Sequence, residues 1–144
     1  MNARTLYRKL VDNHTVRQLD EDNVLLFCDL HLMNEYTSPQ AFAGLHEQGR
    51  GVWAPGQNVA VVSHIIPTHS HAVRVIQNPA SALQASNLKR NCDRHDIPLF
   101  DTNDQLQGIE HVVSPEHGMI RPGMVVICGD SHTTTYGAYG ALGF

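Results

Sequence analysis

The clearest strand in this chain is the run Met124-Val-Val-Ile-Cys128, which breaks without transition into Gly129-Asp-Ser-His132. Short apolar runs bounded by turn signals read as buried strands. Others are Asn23-Val-Leu-Leu-Phe-Cys28, Val59-Ala-Val-Val62 and the short extended pieces Pro98–Asp101 and Gly108–Val113. Between them lie helical patterns. Thr5 caps a helix running to His14, with Leu6, Leu10 and Val11 near one face. Ser38-Pro39 opens a second helix that ends at Gly49. Ala80 to His95 forms a third, with Leu83, Leu88 and Cys92 as its apolar positions and Lys89, Arg90 and Arg94 suiting its C-terminal dipole. His69 to Pro79 reads as a loop, and Tyr136 to Phe144 as the opening of a glycine-rich helix. Strands separated by helices predict an α/β fold with a largely parallel sheet.

At 144 residues the chain is about one domain. Fourteen acidic against ten basic residues leave no cationic surplus for nucleic acid or an anionic membrane. No apolar run is long enough to span a bilayer, and the N-terminus lacks the apolar stretch of a signal peptide, so a cytoplasmic location is expected. Cys28, Cys92 and Cys128, at gaps of 64 and 36 residues, form no disulfide framework and no C-x-x-C ligand set, and are expected to be buried thiols. The chain stops as an element begins, which predicts a fragment of a longer protein.

Ten histidines are the compositional oddity. In open α/β sheets, ligands gather beyond the carboxyl ends of strands. Asp29/His31, Ser63/His64 and Asp130/Ser131/His132 are expected at such ends, with His111 in or after a further short strand. A carboxylate beside an imidazole fixes its tautomer and favours its charged form. A Ser-His-Asp triad is excluded for Ser131, because no G-x-S-x-G elbow surrounds it and consecutive residues cannot form that geometry. The glycines from Gly137 to Gly143 match no phosphate loop. His69-Ser-His71 reads either as a metal pair on one strand face or as a solvated loop. Glu116/His117 reads as a loop feature or a catalytic pair, and Gln40 as plain surface or as a donor to a carboxylate ligand.

Three segments occur in order: Glu35-Tyr-Thr-Ser-Pro-Gln-Ala-Phe42, Gly108-Ile-Glu-His-Val-Val-Ser-Pro-Glu-His-Gly118 and Pro122-Gly-Met-Val-Val-Ile-Cys-Gly-Asp-Ser-His-Thr133. Together they resemble the N-terminal part of the large subunits of 3-isopropylmalate dehydratases, in the aconitase superfamily. The resemblance covers nearly the whole chain. It implies a three-layer aconitase-like domain, incomplete over residues 1–144. The implied activity is a hydro-lyase that interconverts 2- and 3-isopropylmalate in leucine biosynthesis, with a separate small subunit as partner. It also implies a [4Fe-4S] cluster in the full-length enzyme, with its three cysteine ligands beyond residue 144. His64, His111, Asp130 and His132 match catalytic positions. Gln40 and Ser131 match substrate-contacting ones, and Asp29 and His31 lie in a matching early segment. This chain has Ser63 where the family has Asp before the histidine. A hydroxyl carries no negative charge, so the acid at His64 is expected to be weakened. The alternatives are a related hydratase for homocitrate- or citramalate-type diacids and a truncated, non-catalytic remnant.

Overall fold

The computed structural model describes residues 3–68 and 75–144. His69-Ser-His71 lies outside the described residues. The element order is α1 (Leu6–His14), β1 (Thr15–Gln18), β2 (Val24–Leu26), β3 (Leu30–Asn34), α2 (Pro39–Glu47), β4 (Asn58–Val61), α3 (Pro79–His95), β5 (Leu99–Phe100), α4 (Glu110–Glu116), β6 (Val125–Cys128) and β7 (Leu142–Gly143). A 3₁₀ helix, Thr133–Tyr139, links the last two strands.

Five strands form a sheet in the order β5-β4-β3-β6-β7, and every neighbouring pair is parallel. The chain leaves β3 toward β4 and β5, then returns to the other side of β3 with β6 and β7. The order therefore reverses between β3 and β6, and a crevice opens beyond their carboxyl ends.

Alternation along β3 assigns the two faces. Met33 joins Ala60, Val62, Phe42, Ala85, Leu88 and Cys92 under α2 and α3. Leu30 and Leu32 join Val126, Cys128, Ile120, Tyr136 and Ala141 on the other side, where α4 and the 3₁₀ helix lie. The result is three layers. Leu32, Ala60, Val61, Val62, Val125 and Val126 are all 0% exposed. Burying one such Val or Leu side chain contributes roughly 1.5–3 kcal/mol, so the central strands anchor the fold.

The helices begin where the sequence places them. Thr5 Oγ1 accepts the Arg8 N–H at 3.2 Å. Asn78 Oδ1 caps α3 by accepting the N–H groups of Ala80 and Ser81 at 2.9 and 3.2 Å. Ser38 precedes α2, but its hydroxyl donates to the Asn34 carbonyl at 2.6 Å rather than capping the helix. Leu83 is exposed; Ala85, Leu88 and Cys92 carry the buried stripe of α3.

Three expectations are corrected. The run from Asn23 to Cys28 supplies only β2, half of a two-stranded antiparallel ribbon with β1. On this outlying ribbon Leu25 and Phe27 are exposed, while Val24 and Leu26 are half-buried. The central strand is instead β3, whose apolar pattern His31 and Asn34 interrupt. Gly108–Val113 is not extended: Glu110, Val113 and Ser114 are buried at helical spacing on α4. Tyr136–Phe144 is a 3₁₀ turn followed by β7, because glycines at 137, 140 and 143 weaken an α-helix there.

Candidate active site

β3 ends in two buried polar residues, Asn34 and Glu35, both 0% exposed. Asn34 Oδ1 accepts the N–H groups of Tyr36 and Thr37, each at 2.9 Å, and so shapes the turn into α2. Its Nδ2 donates to both oxygens of Glu110, at 3.0 and 3.2 Å. The Glu35 carboxylate accepts three successive N–H groups from the exit of β4: Ser63 at 3.0 Å, His64 at 2.7 Å and Ile65 at 2.8 Å. Side chains from the end of β3 thus fix both neighbours, α4 and the segment that carries His64.

β6 delivers Asp130 beside them. Gly129 allows this by close approach rather than by an unusual backbone angle: a Cβ there would sit 2.8 Å from the Thr37 Cβ. Asp130 Oδ1 lies 2.7 Å from His111 Nε2, and Oδ2 lies 3.2 Å from His64 Nε2. The backbone N–H of His132 donates to Oδ1 at 2.8 Å, and its ring Nδ1 stands 3.2 Å away. Burial alone would push the Asp130 carboxyl up. The His132 N–H and the His111 and His64 rings outweigh it and hold the group well below the usual carboxylate range. Asp130 is therefore ionised and accepts only, so His111 and His64 each carry a proton on the Nε2 that faces it.

The two imidazoles differ. The His111 side chain is 10% exposed and its contact with Asp130 is short; the His64 side chain is 34% exposed and its contact is long. His64 also stacks on Tyr36 and has Ser63 Oγ 2.9 Å from its Nδ1. His132 is almost free of cover, at 81%. Ser131 and Gln40 are exposed, Ser131 on the turn with Asp130 and Gln40 in the first turn of α2.

The structure brings together His64, His111, Asp130, Ser131 and His132. It does not bring Asp29 or His31 to this rim. Asp29 precedes β3 and accepts the Val125 N–H at 2.7 Å and the His14 ring at 2.8 Å, at the opposite end of the sheet. His31, near the start of β3, pairs with Asn58 at 3.0 Å, and burial lowers its pKa. His111 arrives from a helix, not a strand. Asn34, Glu35 and Glu110 were missed as site residues, although Glu35 and Glu110 lie inside the quoted motifs. A charged residue directly after a strand, or one turn before Ser114 on an otherwise apolar helix face, is the signal that marks them.

Glu110 is 1% exposed, and burial pushes its carboxyl pKa up against the opposing pull of Asn34. Among the described residues two donor groupings gather within 4.8 Å: Glu110, His111 and Cys128, and His64, Glu110 and Asp130. Their donor atoms are already engaged, Glu110 by Asn34 and both imidazoles by Asp130, and burial pushes the Cys128 thiol up to about 12, so neither is an open ligand set. The three thiols build no cluster cradle. Cys92 and Cys128 lie on opposite faces of the sheet, and Cys28 lies outside both core clusters.

The aconitase family (aconitate hydratase) matches residues 8–144. Two large subunits 2 of 3-isopropylmalate dehydratase, from Salmonella choleraesuis (strain SC-B67) and Salmonella typhimurium (strain LT2), are each 52% identical over 145 residues. These alignments cover 100% of this chain and 31% of each relative. Large subunit 1 from Mannheimia succiniciproducens is 50% identical over 143 residues, covering 99% of this chain and 30% of the relative. The chain thus spans about a third of the length of the curated relatives it matches. With its parallel three-layer sheet and the Asp130 site at the point where strand order reverses, this chain belongs to the aconitase family.

Proposed function

We propose that this chain supplies the histidine–carboxylate part of a 3-isopropylmalate dehydratase active site. The observation that carries the reading is Asp130 held between His64 and His111 beyond the ends of β3 and β6. Removing water from a 2-hydroxy diacid needs a proton for the departing hydroxyl and a base for the adjacent C–H. His64 suits the first role. Its Nε2 proton sits in a long, partly exposed contact and is free to turn to a substrate oxygen, whereas the His111 proton is short-bonded and enclosed. Asp130 orients both rings and stabilises positive charge on either. Ser131 and His132, exposed on the turn with Asp130, and Gln40, exposed in the first turn of α2, suit the substrate carboxylates.

Asp130 faces the His64 ring from β6 at 3.2 Å and gives it one carboxylate neighbour. Ser63 adds no second charge, so turnover by the complex decides between a working acid at His64 and the non-catalytic alternative.

Because the cysteines of this chain are not gathered, a [4Fe-4S] cluster would be held by the larger protein, and it would supply a Lewis acid for the hydroxyl. A large-subunit reading carries a small-subunit partner with it. A cytoplasmic location is part of the same reading; among the described residues no helix is long and apolar enough to cross a membrane.

The test is the native protein, purified anaerobically with its small subunit and given 2-isopropylmalate. Interconversion with 3-isopropylmalate, through an unsaturated diacid detected by ultraviolet absorbance, is expected. A cluster-loaded complex that turns over only a homocitrate- or citramalate-type diacid, or nothing, would overturn the reading.

A further inference from the structure

The ring of His111 touches a second set of partners on the side away from Asp130. Its Nδ1 lies 2.7 Å from Tyr136 Oη. Tyr136 Oη lies 2.9 Å from Ser114 Oγ, and Ser114 Oγ donates to the Glu110 carbonyl at 2.6 Å. Tyr136 and Ser114 are 0% exposed, so these hydroxyls are closed off from the surface.

Proton counting gives the chain a direction. A carbonyl only accepts, so the single hydroxyl proton of Ser114 points to Glu110. Ser114 Oγ must then accept, and the proton it accepts is the only one Tyr136 has. Tyr136 Oη in turn must accept, so His111 Nδ1 carries a hydrogen. On the far side, Nε2 faces an ionised carboxylate and carries a hydrogen too. A neutral His111 breaks the sequence. Either two hydroxyl oxygens stand 2.9 Å apart with no proton between them, or Ser114 abandons its shortest bond.

We propose that Ser114 and Tyr136 form a two-hydroxyl relay that holds His111 in its doubly protonated form, a standing cation beneath Asp130. Ser114 and Tyr136 are positioning residues. They act through His111 on Asp130, and they leave His64 as the imidazole whose proton moves. That last consequence rests on the hydro-lyase reading; the charge state of His111 does not.

The surroundings from each packed element suit a cation. From β6 come the Asp130 carboxylate and the Cys128 thiol, which burial keeps protonated. From α4 comes the Glu110 carboxyl, 3.8 Å from Nε2. From the exit of β4 comes His64, across Asp130, and from the following turn His132, on the same Asp130 oxygen. From the 3₁₀ helix comes the Tyr136 phenol, whose proton burial retains.

The test is imidazole nitrogen–proton correlation spectroscopy on the native protein, without substrate. At about pH 8, where an ordinary histidine is neutral, His111 is expected to show protons on both ring nitrogens. In Ser114→Ala, Tyr136 can turn its proton to Nδ1, and His111 is expected to show one ring proton at the same pH. Ser114→Thr retains the hydroxyl and is expected to restore two. A wild-type His111 with one bare ring nitrogen overturns the proposal, as does a Ser114→Ala spectrum identical to wild type. If Ser114→Ala does not fold, the wild-type spectrum alone decides. Because no substrate is present, this result and the interconversion assay fail independently.

Discussion

The buried carboxylate of Glu35 holds the backbone of His64 at 2.7 Å, so the position of the exposed imidazole is set from inside the sheet. Two further N–H groups, from Ser63 and Ile65, converge on the same carboxylate. An unsatisfied buried donor costs about 1–3 kcal/mol. The three donors here are only partly buried, so Glu35→Ala, which removes their shared acceptor, is expected to destabilise the protein by about 1–3 kcal/mol, read from urea unfolding midpoints. Glu35→Gln, which keeps one acceptor oxygen, is expected to cost less than half as much.

Asp130 should dominate the acid limb of stability. Its carboxyl is held below the usual range by the His132 N–H and two imidazoles, against the opposing effect of burial. A depressed folded value means the contribution is fully present above the ordinary carboxylate value of about 4 and is lost as pH falls through it toward the lower folded value. Asp130→Asn removes this dependence. Unfolding free energy measured between about pH 2 and 5 is expected to fall less steeply with acid in Asp130→Asn than in wild type.

Glu110 should act in the opposite sense. Burial raises its folded pKa, so its ionisation costs stability as pH rises from the ordinary glutamate value of about 4.3 through the folded value. Glu110→Gln is nearly isosteric and keeps an oxygen for Asn34 Nδ2. Relative to wild type, it is expected to gain stability as pH is raised from about 4 to 7, measured by denaturant titration at each pH.

The entry of Asp130 depends on Gly129. In Gly129→Ala the new methyl meets the Thr37 side chain, with a further contact at 2.9 Å to Thr37 Oγ1, which itself donates to Asn34. Overpacking of this kind costs typically about 1–3 kcal/mol. The double variant with Thr37→Ser, which removes the Thr37 methyl, is expected to recover part of the loss in thermal unfolding.

The sequence was most readable where local chemistry and tertiary context agree. Val125–Cys128 is apolar throughout and becomes a strand covered on both faces; Thr5 and Pro39 open helices because their chemistry suits those positions. Leu30–Asn34 was unreadable as the central strand, because His31 and Asn34 interrupt its apolar pattern and their hydrogen bonds to Asn58 and Glu110 are long-range. Asn23–Cys28 misled in the opposite way: its apolar residues sit on an exposed ribbon. Val112 and Val113 suggested a strand, while the partners that bury α4 on one side, Asn34 and Tyr136, lie far away in sequence. The Asp130 site was legible as residue types clustered after strands. That Asp130 reaches both histidines could not be read from spacing, since it depends on the sheet order placing β6 beside β3.

The most direct test of the central claim is the rate of 2-/3-isopropylmalate interconversion by the native complex carrying His64→Gln, with its cluster content measured alongside. Loss of a proton donor is expected to lower kcat by about 10²–10⁴-fold while the cluster content stays at the wild-type level. A His64→Gln complex that turns over within about twofold of wild type would contradict the account, because a twofold change is far below what general acid catalysis contributes.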